Sequence, residues 1–189
     1  MSDTARAELK EILLEKSLRT GEFTLASGKK SDLYIDCRVT TLDAGGAILL
    51  GEIGWESVTQ AIADQGVEVD AIGGMTMGAD PISLVVGMES ARRQPASPLR
   101  VFTVRKEPKG HGRGRQIEGN FRDGDRVIVV DDVITTGGST LKAIDAIEAG
   151  GGKVVFALVL VDREEGGRKA IEARGIPVVS IFSRSTLLG

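Results

Sequence analysis

Two adjacent carboxylates are the first residues in this chain whose types and spacing suggest chemistry. Asp131 and Asp132 end a run of Val and Ile, and a polar turn follows them. Glycines in such a turn let the backbone come close to a ligand, and free amides before a helix predicted to start near Thr140 favour a phosphate. Carboxylates repel phosphate, so the two aspartates need donors such as sugar hydroxyls or a hydrated cation. A ribose phosphate meets both needs, whereas a plain strand-to-helix turn capped by Asp explains only the glycines.

A second chemical feature is an uneven distribution of charge. The net charge is only −3, yet the segment from Arg92 to Arg115 holds eight Arg or Lys residues and one acid, Glu107. This pattern predicts an anionic ligand, and a basic segment with a single Phe, Tyr or Trp, Phe102, is a poor nucleic-acid platform. Residues 106–115 are rich in Gly and bury little, so we expect a mobile lid that closes on its anion. A solvated charged loop is the alternative.

These polar segments follow apolar strands that must position them. The strands are Val and Ile rich, and stretches of helical length separate them, which predicts an α/β fold with a parallel sheet and helices on both faces. Before them come a helix over 4–18, two short strands over 22–27 and 32–38, and a long helix over 43–63. We expect one domain over 1–189, with an N-terminal helix and hood over about 1–40 and a core over about 41–189.

The predicted sheet brings four polar strand ends to one crevice, because ligands of open parallel sheets bind beyond the carboxyl ends of the strands. The four ends are residues 73–78, 104–115, 131–139 and 162–167. No Lys follows the glycines of the third end, so it is not a Walker A loop and nucleotide triphosphate hydrolysis is disfavoured.

Composition excludes several other classes of protein. No segment has the length of uncharged apolar residues that a membrane helix needs, and the N-terminus is too polar for a signal peptide, so we expect a soluble, non-secreted protein. Cys37 is the only cysteine and His111 the only histidine, which leaves too few ligands for a zinc site. A lone cysteine suits a reducing cytoplasm.

The segment VIVVDDVITTGGST resembles the phosphoribosyl-pyrophosphate (PRPP) motif of type I phosphoribosyltransferases. FTLASGKKSDLYIDCR and VRKEPKGHGRGRQIEG resemble the hood and the mobile basic loop of orotate phosphoribosyltransferases within that family. The resemblance spans nearly the whole chain. It implies transfer of the phosphoribosyl group of PRPP to orotate, giving orotidine 5'-monophosphate and pyrophosphate in pyrimidine (UMP) biosynthesis. It also implies Mg²⁺ carried by PRPP and a homodimer whose basic loops reach into the neighbouring sites.

The same resemblance assigns roles to individual residues. The implied catalytic residues are Lys109, His111, Asp131 and Asp132. The implied PRPP-binding residues are these four with Arg105, Lys106, Val133, Ile134, Thr135, Thr136, Gly137, Gly138 and Ser139. Thr135 and Arg163 are implied to bind orotate. No residue is expected to coordinate the metal directly, and Asp132 is expected to contact it through water.

Some assignments have alternatives in the sequence itself. Arg163 has a surface salt bridge with Glu164 or Glu165 as its other explanation. The hood residues Ser27, Gly28, Lys30 and Tyr34 are candidates to cover the base, but Lys29 and Lys30 are equally explained as solvated turn residues. Some relatives carry a lysine in the hood and another in the pyrophosphate loop, where this chain has Ala26 and Gly78. Backbone amides around 75–78 would then contact the pyrophosphate.

Two other functions fit the same pattern. A phosphoribosyltransferase for another base would keep the phosphate turn and differ at the hood and Arg163. A non-catalytic PRPP-binding regulator is expected to have lost the basic lid, whereas this chain retains Lys109 and His111.

Overall fold

The structure is a computed structural model that describes residues 3–24, 30–107 and 116–189. Its elements in chain order are α1 (Asp3–Ile12), a π-helical turn (Leu13–Ser17), β1 (Leu18–Thr24), β2 (Lys30–Ile35), α2 (Arg38–Thr41), α3 (Ala44–Gln65), β3 (Ala71–Met75), α4 (Ala79–Arg93), β4 (Arg100–Val104), β5 (Ile117–Gly119), β6 (Arg126–Ile134), α5 (Gly138–Ala149), β7 (Lys153–Asp162), α6 (Gly167–Glu172), β8 (Val178–Ser183) and α7 (Arg184–Leu188).

The main sheet has six strands in the order β5-β4-β3-β6-β7-β8. Five of them run parallel, which confirms the predicted α/β fold. The short strand β5 was not predicted; it pairs antiparallel with β4 at one edge, with Phe102 opposite Gly119. Strand β6 lies in the middle of the sheet, so its carboxyl end is flanked by the loops that follow β3 and β7.

Helices cover both faces of the sheet because the apolar side chains of β6 alternate between two cores. Ile128 and Val130 belong to the core on the side of α3 and α4, whereas Val127 and Val129 belong to the core under α5. Alternate residues of a strand point to opposite faces, so a strand that is apolar at every position must be buried on both. This burial fixes the apolar part of β6, and the acids follow it in the last part of the same strand.

The N-terminal part adds a helix and a two-stranded antiparallel sheet to this core. Leu9 and Leu13 are buried in the same apolar cluster as Leu50 of α3. The predicted helix over 4–18 is present, but its last turn is π-helical. Strand β1 begins at Leu18, four residues before the predicted start. Ala26, Ser27, Gly28 and Lys29 lie outside the described residues.

The long helix α3 matches its prediction closely. Asp43 caps it by accepting a hydrogen bond from the amide of Gly46 at 3.0 Å, and Lys16 bonds to the same carboxylate at 2.5 Å. It ends at Gly66, whose φ of 62° lies in the left-handed region that terminates helices. Among residues 3–24, 30–107 and 116–189, no helix is long and apolar enough to cross a membrane.

Candidate active site

The candidate site lies at the carboxyl end of β6, where two pockets meet. The first has a volume of about 270 Å³ and is lined by Asp131, Val133, Ile134, Thr135, Thr136, Gly137, Gly138, Ser139, Thr140 and Lys142. The second has a volume of about 240 Å³ and is lined by Tyr34, Ile35, Asp36, Arg38, Met75, Thr76, Met77, Gly78, Lys106, Asp131, Asp132, Val133 and Ser139. Because Asp131, Val133 and Ser139 line both, the two pockets form one crevice.

Asp131 forms the buried floor between the pockets. Only 6% of the residue is exposed, and its carboxylate accepts hydrogen bonds from Thr140 Oγ1 at 2.5 Å and from the backbone amide of Asp132 at 3.0 Å. Burial raises the pKa of Asp131 from 3.8 to about 7, and the neighbouring charge of Asp132 adds to that increase, while the bond from Thr140 opposes it. The carboxylate is therefore held in place but only weakly solvated.

Asp132 lies on the other side of the strand end, against the loop that follows β3. A Cβ atom at residue 78 would lie 2.3 Å from its Oδ1, so only glycine leaves room for this carboxylate. Partial burial raises the pKa of Asp132, and the positive charge of Arg38 lowers it. Asp132 is thus confined between the residue 75–78 loop and the α2 corner.

The turn after the aspartates has the form that an anion-binding site requires. Gly137 has φ 82°, and the amide of Gly167 donates to the carbonyl oxygen of Thr135 at 2.7 Å, which fixes the turn from behind. The amides of residues 136–139 donate no hydrogen bond within the described part of the chain. These amides belong to the turn and to the start of the twelve-residue helix α5, where a helix dipole favours negative charge.

Two predicted details of this turn change. Helix α5 begins at Gly138, two residues before the predicted start near Thr140, so Gly138 and Ser139 present their amides from the first helical turn. Thr140, within this first turn, is buried, and its hydroxyl donates to Asp131. Ile134 is buried in the core, so only its backbone is available to the first pocket.

The loop after β3 is anchored by a residue that sequence reasoning did not single out. Asp80 accepts hydrogen bonds from Thr76 Oγ1 at 2.6 Å and from Thr103 Oγ1, which joins the loop to the end of β4. An acid in the first turn of the helix after a polar strand end was the available signal, but its partner on β4 is 23 residues away in sequence.

The basic segment is divided between several places. Arg92 and Arg93 pair with Glu89 on their own helix, and Arg100 pairs with Asp125. Lys106 lines the second pocket. Three of its arginines thus have acidic partners outside the pockets, and an anionic ligand at the rest of the segment stays a prediction.

The ends of the predicted lid lie close together. Arg105 donates from its backbone amide to the carbonyl oxygen of Gln116 at 2.8 Å, and the Gln116 side chain returns a bond to the carbonyl oxygen of Arg105 at 3.0 Å. The Arg105 guanidinium lies 3.8 Å from Glu118. Lys109 and His111, predicted to be catalytic, lie outside the described residues.

The fourth strand end differs from its prediction. Asp162 is buried and pairs with Arg168 at 3.0 Å, so the expectation that it emerges into the crevice is wrong. Arg163 is also buried, 4% exposed, and its Nη2 lies 2.6 Å from Glu165. The alternative explanation, a salt bridge with Glu165, is thus present, but the Arg163 side chain is buried and is not at the surface. The role of Arg163 toward orotate stays a prediction.

Two carboxylates of the site could contact a hydrated metal ion. Residues 3–24, 30–107 and 116–189 hold no cluster of three or more His, Cys, Asp or Glu side chains able to bind a metal ion. Asp131 and Asp132 are adjacent carboxylates in a crevice, which suits Mg²⁺ that keeps several waters and binds mainly to phosphate oxygens.

Known proteins are similar to this chain in both sequence and fold. Residues 85–181 match the phosphoribosyl transferase domain family. The orotate phosphoribosyltransferase of Aquifex aeolicus is 43% identical over 186 residues, which covers 97% of each chain. The crystal structure of Mycobacterium tuberculosis H37Rv orotate phosphoribosyltransferase in complex with Fe(III) dicitrate is 37% identical with a TM-score of 0.81, covering 98% of this chain and 99% of that one. A structure of the same enzyme with PRPP is 34% identical with a TM-score of 0.76, covering 97% of this chain and 98% of that one. At this identity and coverage, the chain belongs to the orotate phosphoribosyltransferase family.

Proposed function

We propose that the protein transfers the phosphoribosyl group of PRPP to N1 of orotate, giving orotidine 5'-monophosphate and pyrophosphate. The observation that carries this proposal is the acid pair at the end of β6 followed by a turn whose amides are unengaged in the described residues. The curated relatives with about 40% identity over the full chain are orotate phosphoribosyltransferases, which supports orotate as the base.

The two pockets suit the two ends of PRPP. The 5'-phosphate fits the first pocket, where residues 136–139 present amides at the start of α5. The ribose then lies over Asp131 and Asp132, whose carboxylates accept hydrogen bonds from its hydroxyls. The pyrophosphate at C1 falls in the second pocket, beside the residue 75–78 loop and Lys106. The PRPP complex of the Mycobacterium tuberculosis enzyme supports this substrate.

Stabilisation of the leaving group is the main task of the protein. As N1 of orotate bonds to C1, the bond from C1 to the pyrophosphate oxygen breaks and its electrons leave with that oxygen. N1 loses its proton, which passes to the departing pyrophosphate or to water. Positive charge develops on the ribose and negative charge on the pyrophosphate. Groups already in place for that charge lower the barrier most. Lys106 is one such group in the described residues, and we propose Arg105, Lys109 and His111 as the others.

The charge balance of the crevice supports a role for Mg²⁺. Asp36, Asp131 and Asp132 line the second pocket, and they would repel a pyrophosphate that arrived without a cation. We propose that Mg²⁺ enters bound to PRPP and neutralises its phosphate oxygens, with Asp132 contacting the hydrated ion.

The orotate site is proposed from Thr135 and Arg163. Thr135 is half-buried in the turn, and Arg163 lies at the end of the neighbouring strand. Arg163 already holds one carboxylate, that of Glu165, at 2.6 Å. An arginine that binds a carboxylate in a buried setting can bind another in the same way, so orotate would replace Glu165 as its partner.

A homodimer is proposed from an exposed apolar surface. Val39, Leu42 and Ile48 around the start of α3, and Leu84 and Met88 on α4, are at least half exposed. The two helices pack closely, since a Cβ atom at Gly51 would lie 3.1 Å from the carbonyl oxygen of Val85 and one at Gly54 would lie 2.6 Å from a methyl group of Val86. Large exposed apolar patches mark interfaces. A second copy of this chain is the occupant that would bring a basic loop to the neighbouring site. Sedimentation of Leu84→Lys should then give monomers where the parent gives dimers.

One assay tests the proposed reaction. Orotate, adenine and uracil are supplied separately with PRPP and Mg²⁺, and base consumption and pyrophosphate release are measured. We expect consumption of orotate alone, with loss of turnover when Mg²⁺ is chelated. Consumption of adenine or uracil would show a different base specificity. PRPP binding without pyrophosphate release would instead indicate a regulator. The cytoplasmic location and the absence of a nucleic-acid partner stay predictions.

A further inference from the structure

The second pocket carries an excess of negative charge, although a pyrophosphate is proposed to bind there. Within the described chain, the acidic residues that line it are Asp36, Asp131 and Asp132, and the basic residues are Arg38 and Lys106. Each of the two cations therefore has a large effect on the potential that an anion meets. Lys106 is the first residue of the basic loop. Arg38 belongs to the N-terminal part of the chain and is the first residue of α2.

Arg38 is held in one orientation by its neighbour. Its Nε donates to Asp36 Oδ1 at 2.8 Å and its Nη2 donates to Asp36 Oδ2 at 2.8 Å. This bidentate bond lowers the pKa of Asp36, so the pair stays ionised. Within the described chain, Nη1 of Arg38 donates no hydrogen bond. The guanidinium is thus positioned in advance and retains donors for a second anion.

The electrostatic influence of Arg38 reaches the catalytic acids. The positive charge of Arg38 acts to lower the pKa of Asp132, against the larger effect of burial, and the negative charge of Asp132 helps to raise the pKa of Arg38. The side chain is 45% exposed, so a ligand can approach it from the crevice.

The residue 75–78 loop cannot supply a cation of its own. It holds no Lys or Arg, and between Lys30 and Arg92 the only basic residue is Arg38. A Cβ atom at position 78 would lie 2.3 Å from Asp132 Oδ1, so a lysine there would require the Asp132 carboxylate to move. The positive charge on this side of the pocket must therefore come from another element.

We propose that Arg38 is a pyrophosphate-binding residue, supplying from the α2 corner the positive charge that the residue 75–78 loop lacks, with Asp36 as its positioning residue. This inference rests on the proposed function, because it takes the second pocket as the pyrophosphate side of PRPP. It assigns Arg38 to the leaving group and not to the base.

Binding measurements on four proteins test it without requiring turnover. They are the parent, Arg38→Gln, Arg38→Lys and the control Arg174→Gln. Arg174 also bridges to acids, Asp145 and Glu148, and is similarly exposed at 40%, but lies outside both pockets. Calorimetry with Mg²⁺ would measure affinities for inorganic pyrophosphate, PRPP and orotate. We expect Arg38→Gln to lower the affinities for pyrophosphate and PRPP by about 10- to 100-fold, and Arg38→Lys to have an intermediate effect.

Orotate affinity should stay within about twofold of the parent in every variant, and Arg174→Gln should match the parent throughout. Pyrophosphate and PRPP affinities within about twofold of the parent in Arg38→Gln would overturn the inference, as would a loss confined to orotate. Thermal melting identifies a variant that fails to fold. If Arg38→Gln does not fold, the affinities of Arg38→Lys for pyrophosphate and PRPP decide whether the inference holds. If the parent binds PRPP but does not consume orotate, the proposed function fails while the comparison of Arg38 variants still stands.

Discussion

The carboxylate of Asp132 lies against the backbone of Gly78, so that a Cβ atom at position 78 would come within 2.3 Å of Asp132 Oδ1. Asp132 lies near the carboxyl end of β6 and Gly78 precedes α4, and the two strand ends are neighbours because β3 and β6 pair in parallel. The absence of a side chain at residue 78 thus sets the position of an acid that is proposed to hold the ribose.

Gly78→Ala should displace the Asp132 carboxylate and reduce turnover far more than stability. We expect kcat/KM for PRPP to fall by about 10- to 100-fold, because a displaced carboxylate no longer meets the ribose hydroxyls. Steady-state kinetics and thermal melting measure the two effects. Gly45→Ala is the control, since a Cβ there meets its nearest atom at an ordinary 3.4 Å. Equal kinetics in Gly78→Ala and the parent would contradict this account of the contact.

Gly137→Ala should impair phosphate binding because Gly137 has φ 82° and a Cβ would lie 3.0 Å from the carbonyl oxygen of Gly167. Gly124 is the matched control: its φ is 83°, but no atom lies within 4 Å of a Cβ built there. Both variants should lose about 1–2 kcal/mol of stability from backbone strain. Only Gly137→Ala should raise the Kd for PRPP; a similar rise in Gly124→Ala would mean that general destabilisation is the cause.

Asp131 should make stability depend on pH, because its folded pKa of about 7 lies above the ordinary aspartate value of 3.8. Well below pH 3.8 the residue is protonated in both states and has no effect. As pH rises from 4 to 7 the unfolded chain ionises first, so the folded state loses up to about 4 kcal/mol in relative stability and then stays level. Asp131→Asn should flatten this decline in pH-dependent melting, whereas the exposed control Asp64→Asn should retain it.

The same titration should appear in substrate binding. A protonated Asp131 is a poorer acceptor for ribose hydroxyls, so affinity for PRPP should fall as pH drops through about 7. Thr140→Val removes a bond that lowers the pKa of Asp131, and it should move this midpoint to higher pH, whereas Thr140→Ser should leave it in place. An unmoved midpoint in Thr140→Val would show that another group controls the profile.

Glu165→Gln should strengthen orotate binding if orotate replaces Glu165 as the partner of Arg163. The variant removes the competing charge 2.6 Å from Arg163 Nη2, and KM for orotate should fall several-fold with little change in KM for PRPP. Arg163→Lys should raise KM for orotate, because lysine lacks the planar fork. If both variants leave KM for orotate unchanged, Arg163 serves the buried ion pair alone.

Lys109→Ala should lower turnover far more than it weakens orotate binding, because its proposed contact is with the departing pyrophosphate. Single-turnover kinetics give the rate of the chemical step, and calorimetry gives the Kd for orotate. Lys153→Ala, on an exposed residue at the start of β7, serves as the control. Turnover equal to the parent would remove Lys109 from the mechanism.

The sequence alone determined the sheet and the position of its acids. A strand that is apolar at every position from Val127 to Val130 must be buried on both faces, so helices had to cover it and its polar end had to reach the edge. The local order of acid pair, glycine turn and helix then predicted a ribose phosphate site, because each of those features acts through residues close in sequence.

Only the tertiary structure decided which residues meet across that edge. The contacts of Asp132 with Gly78 and of Asp80 with Thr103 depend on strand order and on side-chain burial. The unpredicted strand β5 also depends on the tertiary structure, because its three residues pair only where β4 presents an open edge. The charge pattern along the chain does not determine which groups the basic residues bind. Arg92 and Arg93 pair with Glu89, and Arg38 lines the second pocket. Long-range pairing is set by packing of the whole core, which local sequence does not encode.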